Sequence, residues 1–370
     1  MMSDERRYWI AFSVFPGIGP VRFKLLLDYF GSAKHAWEAP TQTLRDIHLG
    51  DALVSKFDHF RKTFLLDEYL RTLQYHHVNT LSYDDPKYPK LLREISDAPF
   101  VLYVKSTPGG EKIDMTKTVA IVGTRKATPY GIAMTRRLVS GLVSYGCTIV
   151  SGMAYGIDAV AHETAMNEGG KTIAVLGCGV DIIAPPSNAH IYRKLTEEGC
   201  GAVISEMPLG LRPGKGLFPA RNRIISGLSR GVVVVEGLED SGALITARNA
   251  LDQGREVCAV PGSLTNPYSK APLKLLKDGA TLVESAEDVI ACLGIAKAKK
   301  LTHNREIPRI FDTKEEEMLM SFLEKGPMHI DELVRMTHLQ MPVVSATLTV
   351  LEMKGTVKDT GEKVYELIVN

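Results

Sequence analysis

The chain is poor in cysteine, with five in 370 residues, and none of them belongs to a C-x-x-C pair. Odd in number and widely spaced, Cys147, Cys178, Cys200, Cys258 and Cys292 fit neither a disulfide framework nor a zinc ribbon, and a reducing cytoplasm is the natural setting. Long apolar runs are missing as well. The N-terminus lacks a signal-peptide core and no later stretch is long enough to span a bilayer, so a soluble protein without membrane attachment is expected. Neither G-x-G-x-x-G nor G-x-x-x-x-G-K-[ST] occurs, which removes the sequence signals for dinucleotide and ATP sites. The ten histidines are scattered and no carboxylate pair has evident acid and base partners, so the residues signal no catalytic centre, cofactor or metal. Charge of either sign is barely in excess: the net value is +1, which leaves local clustering to decide whether a polyanion binds.

At this length two or three compact units are expected. Residues 1–84 read as an all-α unit, with amphipathic stretches at 8–15, 20–29, 52–60 and 64–76. Between the first two lies Phe15-Pro16-Gly17-Ile18-Gly19-Pro20. It is either a helix-hairpin-helix turn whose backbone N–H groups approach a phosphate, or a tight turn that packs Ile18 into a small core. Residues 85–295 carry short β-branched runs at 119–122, 147–150, 172–176, 202–205, 232–235 and 257–260, alternating with helical stretches. That is the pattern of parallel strands with crossover helices. The run Val232-Val233-Val234-Val235 lacks polar alternation, as a central strand covered on both faces requires. The fold class expected is α/β, an extended Rossmann-like, doubly wound, mostly parallel sheet. Residues 296–308 read as a polar, basic linker. Residues 309–370 read as a small winged helix, with helical spacing at 314–324, 330–336 and 343–353 and a hairpin turning at Thr360-Gly361. From Glu306 onward seven Lys or Arg face twelve Asp or Glu, a balance that argues against duplex DNA as this unit's partner.

The strongest local imbalance lies between Met207 and Gly231, where Arg212, Lys215, Arg221, Arg223 and Arg230 meet no acidic residue. Within it, Phe218-Pro219-Ala220-Arg221-Asn222-Arg223 joins an aromatic, an amide and two guanidinium groups to an apolar helix start. A base stacks on an aromatic face whatever its identity, for roughly 1–3 kcal/mol, while Arg and Lys neutralise the neighbouring phosphates. This is the logic of a single-strand binder without sequence readout. The other reading buries Phe218 under the following helix and pairs Arg221 or Arg223 with Glu206 or Glu236.

Three strand-turn-helix junctions would gather along one rim of the sheet. In the first, Gly123, Thr124, Arg125 and Lys126 form the turn, Thr128 caps the next helix and Pro129 starts it; the free N–H groups attract anions and Arg125 adds a fixed charge. In the second, Ser151 and Gly152 close a strand, and Asp158 and His162 share a helix face at i,i+4 spacing. Without further ligands, a helix-start carboxylate with a local hydrogen-bond partner is expected there rather than a metal pair. In the third, Ser241 or Asp240 caps a helix that opens at Gly242. Together these turns would line a groove with backbone donors, with Arg125, Lys215, Arg221 and Arg223 above it. A groove suits a polymer better than a deep pocket would.

These segments, with Asp85-Pro86-Lys87-Tyr88-Pro89, Gly156-Ile157-Asp158, Gly170-Lys171-Thr172, Ser205-Glu206 and Ala259-Val260-Pro261-Gly262, are similar over essentially the whole chain to the bacterial DNA-processing protein A (DprA, or Smf) family. The resemblance implies an N-terminal domain of SAM or helix-hairpin type, a Rossmann-like core and a winged-helix tail of DML1 type. It implies a non-catalytic mediator that binds and protects incoming single-stranded DNA and loads a RecA-type recombinase in natural transformation, with no cofactor. A single-strand-binding protein is a further expected partner, and the core is expected to form a homodimer. The residues expected to hold the strand are Gly123, Thr124, Arg125, Lys126, Ser151, Gly152, Lys215, Phe218, Arg221, Asn222, Arg223, Ser241 and Gly242. Three departures stand out: Tyr155 where the family commonly has Arg, Ala184 where it has Tyr, and Ala271-Pro272-Leu273 in place of a Gly-x-Asn-like element near the expected dimer region. Two rivals remain. One is a nucleotide-processing enzyme of phosphoribohydrolase type, in which Asp240-Ser241-Gly242-Ala243 would stand where Gly-Gly-x-Gly-Thr binds phosphate; the other is a duplex-DNA binder acting through the winged helix.

Overall fold

The computed structural model describes residues 4–108, 113–214, 216–295, 313–323, 326–354 and 356–367. The linker expected at 296–308 lies outside the described residues. The chain divides into two compact units, residues 1–302 and 303–370.

The first unit opens with six helices: α1 (Asp4–Val14), α2 (Pro20–Phe30), α3 (Ala33–Glu38), α4 (Thr41–Asp46), α5 (Asp51–Thr63) and α6 (Leu66–Tyr75). The turn between α1 and α2 takes the packing role. Ile18 is buried with Phe12, Phe23 and Phe57, and Gly17, at φ 108°, stands where a Cβ would meet Leu53 Cδ1 at 2.8 Å. Then come β1 (Val78–Ser82), the short α7 (Lys90–Arg93) and β2 (Val101–Ser106). The doubly wound part follows as β3 (Thr118–Val122), α8 (Pro129–Ser144), β4 (Thr148–Ser151), α9 (Ile157–Asn167), β5 (Thr172–Val175), α10 (Ala189–Glu197) and β6 (Gly201–Ser205). It continues through α11 (Leu217–Gly227), β7 (Gly231–Val234), α12 (Gly242–Asp252), β8 (Glu256–Ala259), α13 (Lys270–Lys277), β9 (Thr281–Leu282) and α14 (Ala286–Cys292).

Among the described residues these strands form one nine-stranded sheet in the order β1-β2-β6-β5-β4-β3-β7-β8-β9. All pairs from β6 through β9 are parallel; β1 pairs with β2, and β2 with β6, antiparallel. Strands β3, β4, β5, β6 and β7 are buried throughout, which is why they read as short, mostly apolar runs, with β7 apolar except for Gly231. One sheet face packs Ala120, Val122, Ile173, Val232 and Val234 against Ile224 of α11 and Ala247 of α12. The opposite face packs Val119, Ile121, Ile149 and Val233 against Leu138 and Leu142 of α8, Ala161 of α9 and Val289 of α14.

The antiparallel edge corrects the sequence reading. β1 falls inside the stretch read as all helical, and β2 and β9 were not among the expected strands. The N-terminal helices are not a separate core either: Phe23 stacks on Phe100 at 4.0 Å, Ser13 Oγ and Tyr103 Oη are 2.6 Å apart, and the cluster runs on to Ala174 and Val203 of the sheet.

The second unit is α15 (Lys314–Leu323), β10 (Met328–His329), α16 (Ile330–Thr337), α17 (Met341–Met353), β11 (Val357–Asp359) and β12 (Val364–Leu367). Strands β11 and β12 form the expected hairpin, with β10 added antiparallel to β12, over a core of Leu319, Leu333, Val344 and Leu348. This is a winged helix.

Candidate nucleic-acid interface

From β3 the chain winds outward through β4, β5 and β6, then crosses back to β7 on the other side of β3. The connections that leave β3 and β7 therefore diverge, and a cleft opens at the carboxyl ends of these strands, where doubly wound sheets bind their ligands. Its volume is about 410 Å³. Gly123, Thr124 and Arg125 line it after β3, Ala154 and Asp158 after β4, Phe218, Pro219, Arg221 and Asn222 from α11, and Asp240, Ser241 and Gly242 at the start of α12.

Backbone hydrogen bonds fix the walls. Thr124 N donates to Glu236 O at 2.7 Å and Ile157 N to Thr124 O at 3.1 Å. Gly123 is required by that closeness, since a Cβ would lie 2.6 Å from Ile157 Cγ1 and 2.9 Å from Glu236 O.

Thr128 caps α8, accepting from Gly131 N, and Pro129 opens the helix as expected. The free anion site expected at this helix start does not exist, because a protein carboxylate occupies it. Glu236, 1 % exposed, accepts from Thr128 N at 3.0 Å and from Thr128 Oγ1 at 2.6 Å. Gly131 leaves the room for it: a Cβ there would overlap Glu236 Oε2.

Asp158 and His162 hold the turn after β4. Asp158 Oδ2 accepts from Gly152 N at 3.2 Å and Ala154 N at 3.4 Å, which makes it the helix-start carboxylate expected. Burial pushes its pKa up, and the Arg221 charge and these N–H groups pull it part of the way back. His162 Nε2 accepts from Met153 N at 3.3 Å, so Nδ1 carries the hydrogen toward Thr172 Oγ1 at 2.7 Å, which in turn donates to Ile149 O at 2.8 Å. Burial, aided by the Arg221 charge, lowers the His162 pKa to about 3 and keeps the ring neutral. This network holds Met153 at φ 55°, a backbone state that a side-chain-bearing residue rarely adopts. Among the described residues no His, Cys, Asp and Glu group could hold a metal ion.

The basic residues separate into distinct classes. Arg125 is exposed, forms no ion pair among the described residues, and holds its guanidinium 5.3 Å from the centroid of the half-buried Phe218 ring. Arg221 is 5 % exposed and forms the floor of the cleft. Its Nη1 donates to Gly152 O at 2.7 Å and to Val175 O, and Nε donates to Asn222 Oδ1 at 3.1 Å. Gly152 allows this, since a Cβ would sit 2.5 Å from Nη1. Arg223 lies outside the cleft, paired with Glu206 at 2.5 Å and Asp97 at 3.0 Å. The expectation that both guanidinium groups stand above the groove is thus corrected, for a helical reason: residues two apart face nearly opposite sides.

The remaining site residues divide likewise. Asn222 Nδ2 reaches Gly242 O at 3.4 Å, tying α11 to the start of α12, and Ser241 caps that helix through Ala243 N. Gly242 is exposed on the rim. Lys126 is exposed but does not line the cleft, and Ser151 is buried, donating to Ile121 O at 2.7 Å. Lys215 lies outside the described residues. Sequence reasoning missed Leu238 and Ile245, exposed apolar residues on the rim, and the role of Glu236; nothing in their spacing signals it. The segment Gly227-Leu228-Ser229-Arg230-Gly231 matches the G-x-S-x-G pattern, yet Ser229 is fully buried at the amino end of β7 and donates to Ile225 O at 2.9 Å, so it is no nucleophile elbow.

The sequence profile of DNA recombination-mediator protein A matches residues 79–294, more than half of the chain. The chain belongs to this family. A second profile, the DprA winged helix domain, matches residues 308–361. Protein Smf of Synechocystis is 35 % identical over 398 aligned positions, covering 99 % of this chain and 100 % of the relative. DNA processing protein DprA of Streptococcus pneumoniae is 40 % identical over 230 positions, 62 % of this chain and 79 % of its own. The X-ray structure of the S. pneumoniae protein superposes with a TM-score of 0.67 at 34 % identity, covering 78 % of this chain and 98 % of that one. DNA processing protein A of Helicobacter pylori, whose structure was described for its single-stranded DNA binding mode, superposes with a TM-score of 0.52 at 31 % identity, covering 59 % and 96 %.

Against the family pattern, Tyr155 is exposed in the turn beside the cleft residue Ala154, so the charge of an arginine is missing there. Ala271 and Pro272 are buried, and Ala271 N donates to Gly237 O at 2.9 Å, so this element braces the turn after β7 from within the chain. No helix among the described residues is long and apolar enough to cross a membrane.

Proposed function

We propose that the cleft after β3 and β7 binds single-stranded DNA by its backbone, without sequence preference, and that the protein passes the strand to a RecA-type recombinase in the cytoplasm. The observation that carries this reading is the pairing of Arg125 with Phe218: an exposed guanidinium without a carboxylate partner among the described residues, beside a half-buried ring, at the strand-end rim. One group neutralises phosphate while the other offers a face to a base. Ser241, Gly242 and Asn222 supply polar contacts along the cleft, and Lys126 and Lys215 are proposed as further phosphate contacts. A homodimer would bring two clefts to one strand, and a single-strand-binding protein would be displaced as it loads. The binding of single strands described for the H. pylori family member supports the reading.

The winged helix is proposed to act on a protein rather than on duplex DNA. Helix α17, the one placed to enter a groove, has no Lys or Arg and exposes Met341, Val343, Val350 and Met353.

Fluorescence anisotropy with an oligothymidylate, a duplex of equal length and a nucleoside monophosphate tests the proposal. Tight binding of the oligothymidylate, retained by a chain ending before Glu306, is the expected result. Preference for the duplex that disappears with the tail overturns it, as does hydrolysis of the monophosphate.

A further inference from the structure

We propose that Cys258 and Cys292 form a peroxide-responsive dithiol that closes to an intrachain disulfide. The two sulfur atoms lie 3.2 Å apart. A disulfide bond is about 2.05 Å long, so the sulfurs need approach by only a little over 1 Å. The residues come from different elements of one unit. Cys258 is the third residue of β8, fully buried, and Cys292 ends α14, partly exposed. Both belong to the hydrophobic cluster that seats α14 on the sheet. Among the described residues no other two cysteine sulfurs touch: Cys147 and Cys178 are buried alone, and Cys200 is partly exposed without a thiol neighbour.

The arrangement assigns a role to each thiol. Burial pushes the Cys258 thiol well up and keeps it protonated, and its S–H donates to the Cys292 sulfur. Cys292 is therefore the group that meets a peroxide. Its thiolate attacks one peroxide oxygen; the S–O bond forms, the O–O bond breaks, and the departing hydroxide takes up a proton as water. The Cys258 sulfur then attacks the Cys292 sulfenic acid. The S–S bond forms, the S–O bond breaks, and a second water leaves with the Cys258 proton. Two thiols have lost two electrons and one peroxide has gained them. The product would staple α14, the last described helix before the second unit, to the sheet.

The test uses the full chain, fully reduced, exposed to hydrogen peroxide and then denatured for thiol titration and peptide mass mapping. Titratable thiols should fall from five to three, and the chain should become about 2 Da lighter. One cross-linked peptide should contain both Cys258 and Cys292, and dithiothreitol should restore all five thiols. Cys292→Ser should abolish the cross-link. Cys258→Ala should leave Cys292 to proceed to a sulfinic acid that dithiothreitol does not reverse. Accumulation of Cys292 sulfinic acid in the wild-type chain, or oxidation confined to Cys200, overturns the proposal. The wild-type peptide map decides the matter by itself should Cys258→Ala fail to fold.

Discussion

Replacing Arg221 by methionine separates a strut from a ligand. The guanidinium is 5 % exposed, donates to Gly152 O and Val175 O, and its charge favours the ionised form of the buried Asp158 carboxylate. A buried carbonyl left without a donor costs about 1–3 kcal/mol, and losing the positive charge that favours the ionised Asp158 adds to that loss. Against a typical stability of roughly 5–15 kcal/mol, the variant should unfold at a markedly lower urea concentration, read by far-ultraviolet circular dichroism. The loss should also depend on pH. Burial already raises the Asp158 pKa above its usual value of 3.8, and without Arg221 it rises further. A carboxyl whose pKa is higher in the folded than in the unfolded chain weakens the fold as it ionises, so the deficit should be larger at neutral pH than below the usual carboxyl value of 3.8. Arg221→Lys should restore charge but not the planar set of donors in which Nη1 serves Gly152 O and Val175 O while Nε serves Asn222 Oδ1, and should recover only part of the loss. A methionine variant with the wild-type urea midpoint, but with weaker single-strand binding and a flatter salt dependence, would refute the strut and make Arg221 a phosphate ligand.

Two further outcomes follow from the geometry of the rim. Gly131→Ala should drive the Glu236 carboxylate off Thr128 and lower stability by about 1–3 kcal/mol, measured by thermal unfolding, because the new Cβ overlaps Glu236 Oε2. Phe218→Ala should weaken oligothymidylate binding by about 1–3 kcal/mol while leaving its salt slope unchanged, since stacking releases no counterions.

The parallel strands were legible because burial on both faces leaves no room for polar residues: Val232, Val233 and Val234 sit in β7 as their run implied. The edge was not legible. β1, with a buried residue at each end and exposed or partly exposed ones between, has too little apolar signal to stand apart from the preceding helix, and β9 has only two residues, both exposed. At the site, glycine and cap positions were readable from local chemistry, as Thr128 and Ser241 show. The partners of the arginines were not. Composition marked Arg221 and Arg223 alike, although their spacing on one helix already forbids a common direction. Which of them faces inward depends on Gly152, Asp158 and Glu206, which come from other elements brought in by the sheet. Glu236 escaped notice as the occupant of a helix start for the same reason: 108 residues separate it from Thr128.

The salt dependence of oligothymidylate binding by Arg125→Glu bears most directly on the single-strand cleft, with Arg223→Gln as its companion. Each phosphate neutralised on a single strand contributes about −0.7 to the slope of log K against log salt, which at 0.1 M salt is roughly a fivefold gain in affinity. Arg125→Glu should lose at least that factor, flatten the slope by about 0.7 or more, and approach the wild type near 1 M salt. Arg223→Gln, taken from a residue already paired with Glu206 and Asp97, should leave the slope as it is. Unchanged affinity and slope for Arg125→Glu would contradict the account.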